Sequence, residues 1–346
     1  MGKRTSLKRL LVGIGILGTL IFSAYTGMRY LVYGPIVHIK EDHAILIHPN
    51  ATHIDSLIQD LSEKEILPYP AVFKWISNMM SFQPKAGKYL LPKGHVSHRD
   101  LIGIFRGKQM TINLAIHNHR TIDQLTQFLA DHTTINKIEL DRLLSDRSYL
   151  DSIGYTKDNV MSLFIPNTYQ FYWNMSAQTF MDRMIQENKR FWNTERIDKL
   201  GRLNLTAQQV YTLASIVECE TQHKPERRRI AGVYMNRLQK KGWKLEADPT
   251  VIFAIGDFSI RRLLKRHLSY DSPFNTYKYA GLPPGPIFMS SIHSIDAVLD
   301  FEKHDFMFFC AKPKDEGRPT EHAFAKTLQG HLVNARKYRR WIRSIN

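Results

Sequence analysis

An uncharged run near the N-terminus constrains this chain more than any other feature of its sequence. Residues 10–28, LLVGIGILGTLIFSAYTGM, carry no charged side chain over 19 positions. A helix of about 20 apolar residues is long enough to cross the hydrocarbon core of a bilayer. The run is long for the apolar region of a signal peptide, and no clear A-x-A cleavage motif follows it. We therefore predict a membrane anchor, with a cleaved signal peptide as the alternative.

The charges beside this run predict its orientation. Four basic residues precede it, namely Lys3, Arg4, Lys8 and Arg9. Because basic flanks remain in the cytoplasm, we predict a cytoplasmic tail over residues 1–9, a transmembrane anchor over 10–33 and an extracytoplasmic remainder. The protein would then be a single-pass protein of the cell (inner) membrane, with its C-terminal domain in the periplasm or outside the cell.

The composition indicates which classes of partner the exported part can bind. The chain has 346 residues, a formal net charge of +16 and 43% hydrophobic residues. This length and composition allow about two domains with sizeable cores. The positive charge favours an anionic partner, such as anionic lipid or an acidic cell-wall glycan. Nucleic acid is not expected, because the basic part would lie outside the cytoplasm.

The sequence gives little sign of a metal site or a disulfide framework. Cys219 and Cys310 belong to no C-x-x-C pair, and we predict two separate buried thiols, with one disulfide as the alternative. The segment HNHR, 117–120, has two histidines but no neighbouring carboxylate. We interpret it as a polar turn, and we expect neither a metal nor another cofactor.

Residues 36–120 predict a small α+β subdomain. Ser97 is a predicted helix N-cap, and apolar residues alternate in some segments and recur at helical spacing in others. The predicted elements are strands within 36–49 and at 86–94, and helices at 51–67, 71–82 and 97–109. Strand–helix–helix–strand units of this kind occur in LysM-type modules, so we predict a LysM-like glycan-binding subdomain.

Residues 121–346 predict a second, mixed α+β domain, preceded by a strand at 111–116. The aromatic segment LFIPNTYQFYW, 163–173, predicts a core strand with a turn, or alternatively a wall on which sugar rings stack. Residues 176–200 predict a single helix. The basic segment 334–346 predicts a packed terminal helix, with a membrane-surface contact as the alternative.

The stretch LASIVECETQ, 213–222, carries two glutamates at the end of a helix. Thr206 and Gln209 predict a capping box where that helix begins. Its predicted apolar face consists of Val210, Leu213, Ala214, Val217 and Thr221. At about 100° per residue, Glu218 lies on one flank of this face and Glu220 roughly 200° further round. The two carboxylates are therefore not expected to flank one glycosidic bond, which requires a separation of about 5–10 Å across the bond.

The residues alone leave two interpretations of Glu218 open. Beside an apolar face its charged form would be desolvated, so it would stay protonated nearer neutral pH and serve as a general acid. Alternatively, both glutamates lie on an ordinary solvated flank.

Five segments that follow one another in order carry a family resemblance. They are A-S-I-V-E-x-E-T (Ala214–Thr221), V-x-x-N-R-L (Val233–Leu238), L-x-x-D-P-T-V (Leu245–Val251), N-T-Y (Asn275–Tyr277) and G-L-P-P-G-P-I (Gly281–Ile287). PNTYQF, 166–171, matches a further segment. Together they resemble the catalytic domain of the YceG-like family, the endolytic murein transglycosylases. The resemblance covers about residues 36–340 and the anchor.

The resemblance implies an enzyme that acts on nascent peptidoglycan. The reaction would be non-hydrolytic cleavage of the β-1,4 bond between N-acetylmuramic acid (MurNAc) and N-acetylglucosamine (GlcNAc). It leaves 1,6-anhydro-MurNAc ends and could terminate glycan strand elongation. The resemblance assigns the catalytic role to the first glutamate of the pair, Glu218, which would protonate the leaving oxygen. Glu218 would then take the proton of the muramic C6 hydroxyl.

The resemblance also implies supporting or substrate-binding residues. They are Glu220, Asn236, Arg237, Asn275, Tyr277, Tyr169 and His322. Glu220 is expected to brace the site, and Cys219 to point away from Glu218. Glycan strands are the expected substrate, and peptidoglycan synthases or division proteins are candidate neighbours.

Two other functions remain open. A true glycosidase would use Glu218 and a second carboxylate to activate water. A non-catalytic peptidoglycan-binding or division scaffold would bind glycan strands and leave them uncut.

Overall fold

The computed structural model describes residues 2–47, 52–107, 109–313 and 321–345. The chain divides into two compact units, Met1–Asn113 with Gln170–Met175, and Leu114–Tyr169 with Ser176–Asn346. Each unit combines helices with two-stranded sheets, so the mixed α+β architecture is confirmed. Some residues of the predicted segments lie outside the described residues, namely Met1, His48, Pro49, Ala51, Lys108 and Asn346.

The N-terminal helix α1 spans Gly2–Tyr33. Its segment Leu11–Tyr33 has 23 residues and a mean hydropathy of 1.7, and its most apolar window is not buried in the structure. At 1.5 Å per residue such a segment is about 35 Å long, enough to cross a bilayer. The segment is therefore a candidate membrane span by length and composition, as the uncharged run predicts, and a signal sequence meets the same criteria.

The first unit contains two small antiparallel sheets and three further helices. The elements are β1 (Val37–Ile39), β2 (His43–Ile47), α2 (Ile54–Glu63), α3 (Pro70–Met79), β3 (Gly87–Leu91), β4 (Gly94–Val96) and α4 (His98–Arg106). Strand β1 pairs with β4, with Val37 opposite Val96, and β2 pairs with β3, with His43 opposite Leu91. The hydrophobic core of this unit includes Leu61, Phe73 and Phe105. The predicted N-cap is confirmed, because Ser97 forms a capping box with Asp100.

The second unit is mainly helical. Its boundary with the first falls within β5 (Thr111–Ile116) and β6 (Asn167–Tyr172), which pair with each other. The helices are α5 (Ile122–His132), α6 (Lys137–Ser145), α7 (Arg147–Ser152), α8 (Ala177–Phe191), α9 (Thr194–Leu203), α10 (Ala207–Glu220), α11 (Arg227–Gln239), α12 (Asp248–Ile255), α13 (Lys265–Leu268), α14 (Ile292–Leu299) and α15 (Leu328–Ile345). Strands β7 (Phe308–Ala311) and β8 (His322–Ala325) form an antiparallel sheet.

Helix α10 lies at the centre of the second unit. Its capping box is confirmed, since Gln209 N–H donates to Thr206 Oγ1 over 3.2 Å and Thr206 N–H donates to Gln209 Oε1 over 2.8 Å. The predicted single apolar face is wrong, because every residue in the range 210–217 is buried. Helices α11, α12 and α14 all pack against α10. A helix that is apolar all round is typical of a domain core.

Two further predictions differ from the structure. The single helix predicted over 176–200 is two helices, α8 and α9, because Asn193 ends the run and accepts a hydrogen bond from Arg196 N–H as the N-cap of α9. The terminal helix α15 begins at Leu328, earlier than residue 334. The aromatic segment forms a 3₁₀ turn and β6, in line with a core strand.

Candidate active site

Residues of four separate motifs meet in one cavity beside the C-terminal end of α10. The cavity has a volume of about 410 Å³. The motif residues that line it are Glu220, Arg237, Asp248 and Tyr277, and the predicted supporting residue His322 lines it as well. The remaining lining comes from Glu246, Leu328, His331 and the strand β7 residues Phe308, Phe309, Cys310 and Ala311. Tertiary folding therefore brings together carboxyl, phenol, imidazole and guanidinium groups whose residues lie up to more than 100 positions apart in the sequence.

Glu220 has an acidity suited to proton transfer near neutral pH. Burial raises the pKa of its carboxyl to about 7, although a hydrogen bond from Tyr234 acts in the opposite direction. The Tyr234 hydroxyl donates to Glu220 Oε1 over 2.5 Å, and Tyr234 itself is 1% exposed. A carboxyl group with this pKa is present in both protonation states at neutral pH, as an acid–base catalyst requires.

A tyrosine–aspartate pair lies in the same cavity. The Tyr277 hydroxyl donates to Asp248 Oδ1 over 2.6 Å. Burial, followed by the hydrogen bond to Asp248, raises the pKa of Tyr277. Asp248 is the first residue of α12, where a carboxylate also stabilises a helix N-terminus. Asp248 also lines the cavity.

His322 is fixed by a glutamate that sequence reasoning did not single out. Its Nδ1 lies 2.9 Å from Glu226 Oε2, and its backbone N–H donates to Glu226 Oε1 over 2.8 Å. Burial raises the pKa of Glu226, but the hydrogen bonds from His322 outweigh it, so the net pKa is lowered. The imidazole also meets the ring of Phe309 edge-on, with centroids 5.4 Å apart. These contacts hold the imidazole against the cavity wall.

Glu218 has a different environment from the one the sequence predicts. Arg227 Nη2 and Nη1 donate to its two carboxylate oxygens over 2.8 and 3.1 Å. The backbone N–H of Ser291 donates to Oε2 over 3.2 Å, and the Ser291 hydroxyl also hydrogen-bonds to that oxygen. The side chains of Arg227 and Glu218 are only 3% and 13% exposed. The carboxylate of Glu218 therefore has an arginine and a serine as its partners, rather than only the apolar surface that the sequence suggests.

The two glutamates line separate cavities, in agreement with the divergence predicted from helix geometry. Glu218 borders a second cavity of about 460 Å³, to which Glu220 does not contribute. Cys219 lines the Glu218 cavity as well, so the expectation that it points away from Glu218 is wrong. Burial raises the pKa of the Cys219 thiol to about 12, which makes it a poor nucleophile.

Two of the predicted supporting residues, Asn236 and Asn275, hold backbone carbonyl groups. Asn236 donates to the carbonyl oxygens of His304 and Phe306 over 2.8 and 2.9 Å. Asn275 is fully buried and donates to the carbonyl oxygens of Leu268 and Tyr270 over 3.0 and 2.7 Å. These amides hold the loops on either side of the cavity.

Tyr169 and Arg237 also make backbone contacts. Tyr169 is 7% exposed, and its hydroxyl donates to the Ile165 carbonyl over 2.6 Å, which is a core position rather than a stacking platform. Arg237 Nε donates to the Met307 carbonyl over 2.8 Å while its side chain borders the cavity. Arg237 therefore holds the segment that leads into β7.

Sequence reasoning missed Arg227, Tyr234, Glu226 and Ser291. Arg227 is the first of three consecutive arginines, and nothing in that run distinguishes it. Tyr234 lies one turn before Leu238 on a largely apolar face of its helix. Ordinary core tyrosines occur at such positions too, so the pattern does not indicate a role at the site. Only the packing of α11 and α14 against α10 reveals that Arg227 and Ser291 contact Glu218 and that Tyr234 contacts Glu220. The contact of Glu226 with His322 likewise depends on tertiary packing.

Comparisons with known proteins agree with this arrangement of motifs. A family model described as the YceG-like family matches residues 46–337. An endolytic murein transglycosylase of Bacillus subtilis is 27% identical over 313 residues, which cover 84% of this chain and 83% of the relative. An endolytic murein transglycosylase of Streptococcus pneumoniae is 22% identical over 333 residues, covering 85% of this chain and 59% of that relative. The crystal structure of a yceG-like protein from Listeria monocytogenes has a TM-score of 0.54 and 26% identity, and covers 85% of this chain and 99% of its own.

Proposed function

The chain belongs to the YceG-like family, and from this we propose that it is a membrane-anchored endolytic murein transglycosylase. The bond cleaved is the β-1,4 linkage between MurNAc and GlcNAc in peptidoglycan. One observation carries the mechanism, namely a carboxyl group with a pKa of about 7 in the cavity where the motif residues meet. On this ground we propose Glu220 as the acid, and Glu218, to which the resemblance assigns the role, is the alternative candidate.

In the first step the protonated Glu220 acts as a general acid. It transfers its proton to the glycosidic oxygen as the bond between that oxygen and the muramic C1 breaks. The GlcNAc hydroxyl leaves, and positive charge develops on the muramic ring. Asp248 and Glu246, which line the same cavity, provide negative charge near this ring.

In the second step the Glu220 carboxylate acts as a general base. It removes the proton from the muramic C6 hydroxyl, whose oxygen bonds to C1 and closes the 1,6-anhydro ring. The Tyr234 hydroxyl donates to Oε1 over 2.5 Å and stabilises the carboxylate between the steps. Because the nucleophile belongs to the substrate, one carboxyl group serves both steps.

The products test this mechanism. Full-length protein in detergent is incubated with uncrosslinked glycan strands, and the fragments are analysed by mass spectrometry. We expect internal cleavage that yields fragments with 1,6-anhydro-MurNAc ends. Reducing MurNAc ends without anhydro sugars would contradict the transglycosylase mechanism.

Hydrolysis is the second candidate reaction, and one observation favours it. The cavity of Glu220 also contains the carboxyl groups of Asp248 and Glu246, and a second carboxylate can activate water. Glu246 has a left-handed backbone with φ of 50°, a strained conformation that is often associated with functional sites. Incorporation of ¹⁸O from labelled water at the new end distinguishes hydrolysis from anhydro-ring formation.

Cleavage should depend on pH through Glu220. Burial favours its neutral form, so the acid is available below a pKa of about 7 and is lost as the pH rises through that value. We expect kcat/KM to fall about tenfold per pH unit above pH 7. Tyr234→Phe removes a donor that stabilises the carboxylate, so the falling limb should move to higher pH. A falling limb near pH 4.5, or a downward shift in this variant, would contradict Glu220 as the acid.

We also propose that α1 anchors the protein with its N-terminus in the cytoplasm. The support is the apolar segment Leu11–Tyr33 and the basic residues before it. The full-length protein should sediment with membranes and resist alkaline carbonate extraction, whereas a variant that lacks residues 1–33 should be soluble. A reporter fused to the C-terminus should be active only outside the cytoplasm, and cytoplasmic activity would overturn this topology.

The predicted subdomain at residues 36–120 retains its proposed role as a LysM-like glycan-binding module, with residues 121–346 as the catalytic domain. We likewise propose that cleavage terminates strand elongation. Peptidoglycan synthases or division proteins are the proposed neighbours. The non-catalytic scaffold is the outcome if the protein retains glycan strands but releases no fragments.

A further inference from the structure

The C-terminal helix α15 carries a basic face that is exposed in the structure. None of its residues, Leu328–Ile345, is buried, although the helix is 18 residues long. Its sequence contains no aspartate or glutamate. Five basic side chains lie within the segment 336–343, all of them exposed, namely Arg336, Lys337, Arg339, Arg340 and Arg343. This face is therefore accessible to a partner of opposite charge.

The basic residues occupy one side of the helix. With 3.6 residues per turn, they fall within roughly 160° of its circumference. Leu332 and Val333, which are 45% and 39% exposed, fall on the same side. The opposite side carries Tyr338, Trp341 and Ile342, which are half-buried, and α15 packs against β7 and β8. The helix is thus packed along its aromatic side and exposed along its basic side.

The described residues offer these five cations no acidic partner. None of the five forms an ion pair within the part of the chain that the structure describes, and the hydrogen bonds of Arg336 and Arg339 go to carbonyl oxygens of α15 itself, over 3.3 and 3.2 Å. Arg336 and Arg340 are four positions apart, a spacing at which like charges on a helix repel. Arg339 and Arg343 repeat this spacing. An anionic surface would relieve this repulsion.

A layer of anionic lipid headgroups matches this face in charge and in extent. Such a layer presents many phosphates in one plane, so a row of cations along a helix can contact several of them at once. A small anion would contact only one or two of these cations. Leu332 and Val333 lie on the same side, and apolar residues beside basic ones enter the boundary between headgroups and acyl chains. The face is therefore better suited to a lipid surface than to a small ligand.

The proposed anchor supplies such a surface. The candidate membrane span Leu11–Tyr33 is part of the same chain as α15. Tethering makes a second membrane contact intramolecular, so that even a weak contact is occupied much of the time. Basic segments add this kind of electrostatic contact to attachment by a single anchor.

We propose that the basic face of α15 docks on anionic phospholipid headgroups of the membrane that holds α1. This proposal rests on the proposed anchor but not on the proposed reaction. Leu328 and His331, in the first turn of α15, line the cavity of Glu220. Docking of this helix holds that cavity within about 27 Å of the headgroups, which is the length of α15.

The test measures amide hydrogen exchange of α15 in two membranes. Full-length protein is reconstituted into nanodiscs of phosphatidylcholine alone or of phosphatidylcholine with phosphatidylglycerol, and exchange of residues 336–345 is followed by mass spectrometry. We expect this segment to exchange about tenfold more slowly in the anionic discs, because a docked helix end opens less often. NaCl at about 1 M shortens the Debye length to about 3 Å and should remove the difference. Equal exchange in both kinds of disc would overturn the docking.

Two sets of substitutions make the test specific to this face. The first replaces three arginines at its centre by glutamine, which also favours a helix, in the variant Arg336→Gln, Arg340→Gln, Arg343→Gln. This variant should exchange equally fast in both kinds of disc, whereas lysine at the same three positions should retain most of the slowing, because attraction to a charged surface depends mainly on charge. The matched control removes three exposed charges from α7, α8 and α9 of the same unit, in the variant Arg147→Gln, Lys189→Gln, Arg202→Gln. It should keep the full difference, and its loss there would assign the effect to net charge and overturn the proposal.

The same discs distinguish this proposal from the proposed anchor. Protein anchored by α1 co-elutes with both kinds of disc on size-exclusion chromatography. Co-elution with the anionic discs alone, with slow exchange of 336–345, would disprove the anchor and support the basic face as a membrane contact. Co-elution with both kinds and equal exchange would leave the anchor and overturn the docking.

Glycan strands are the other anionic surface that the test must exclude. Slow exchange of 336–345 when glycan strands are added to phosphatidylcholine discs, without any slowing by anionic lipid, would assign the face to glycan and overturn the proposal. If the glutamine variant melts at a much lower temperature than the unmodified protein, the salt dependence of the unmodified protein decides the outcome.

Discussion

Replacing Glu220 with glutamine should lower the release of anhydro fragments by at least about 1000-fold. General acid and general base catalysis each contribute about 10²–10⁴-fold, and one carboxyl group supplies both in the proposed mechanism. Glutamine preserves the size of the side chain and can accept the hydrogen bond from Tyr234, but it cannot donate and recover the proton. The measurement is the initial rate of fragment release, followed by mass spectrometry with the unmodified protein in parallel.

Glu218→Gln is the matched control, because it makes the same chemical change two positions earlier on α10. It should retain most of the activity at a temperature where it is folded, since Glu218 lines a different cavity and is bound by Arg227. If a folded Glu218→Gln protein were inactive while Glu220→Gln remained active, the catalytic role would return to Glu218, as the sequence resemblance implies.

Breaking the ion pair between Glu218 and Arg227 should destabilise the second unit strongly. With one partner removed, a guanidinium that is 3% exposed loses the carboxylate that compensates its charge. Removal of one partner from a buried pair costs about 3–5 kcal/mol in the free energy of unfolding. We expect this loss for Glu218→Ala, measured by urea unfolding and followed by the fluorescence of the native tryptophans.

Two further variants make this prediction specific. Asp305→Asn removes a partner of Lys326 from an ion pair whose side chains are 78% and 62% exposed, and it should leave the free energy of unfolding almost unchanged. The double variant Glu218→Leu with Arg227→Met removes both charges and should recover much of the lost stability. A Glu218→Ala protein as stable as the unmodified one would show that the pair contributes nothing to the fold.

The sequence predicted secondary structure well where contacts between residues close in the chain determine it. The N-cap at Ser97 and the capping box at Thr206 lie where the sequence places them, because the hydroxyl of a cap residue satisfies backbone groups within one turn. Strand β5 also matches its prediction at 111–116. The break between α8 and α9 was missed, because an asparagine inside a helical pattern gives only a weak signal until its side chain caps the next helix.

The sequence by itself determined the composition of the site. Ordered motifs identified a family, a pair of glutamates on one helix and a group of polar residues around them. The rotation of about 100° per residue required that the two glutamates diverge, and they line different cavities.

The tertiary structure alone decided which partners each glutamate has. Both follow the same buried stretch of α10, so local burial could not distinguish them. Arg227 from α11 and Ser291 before α14 bind the carboxylate of Glu218, whereas burial raises the pKa of Glu220 to about 7 and its partner is the phenol of Tyr234. The pKa of a buried carboxyl depends on the charges and donors that other elements bring to it, and those partners are set by packing rather than by the helix that carries the residue.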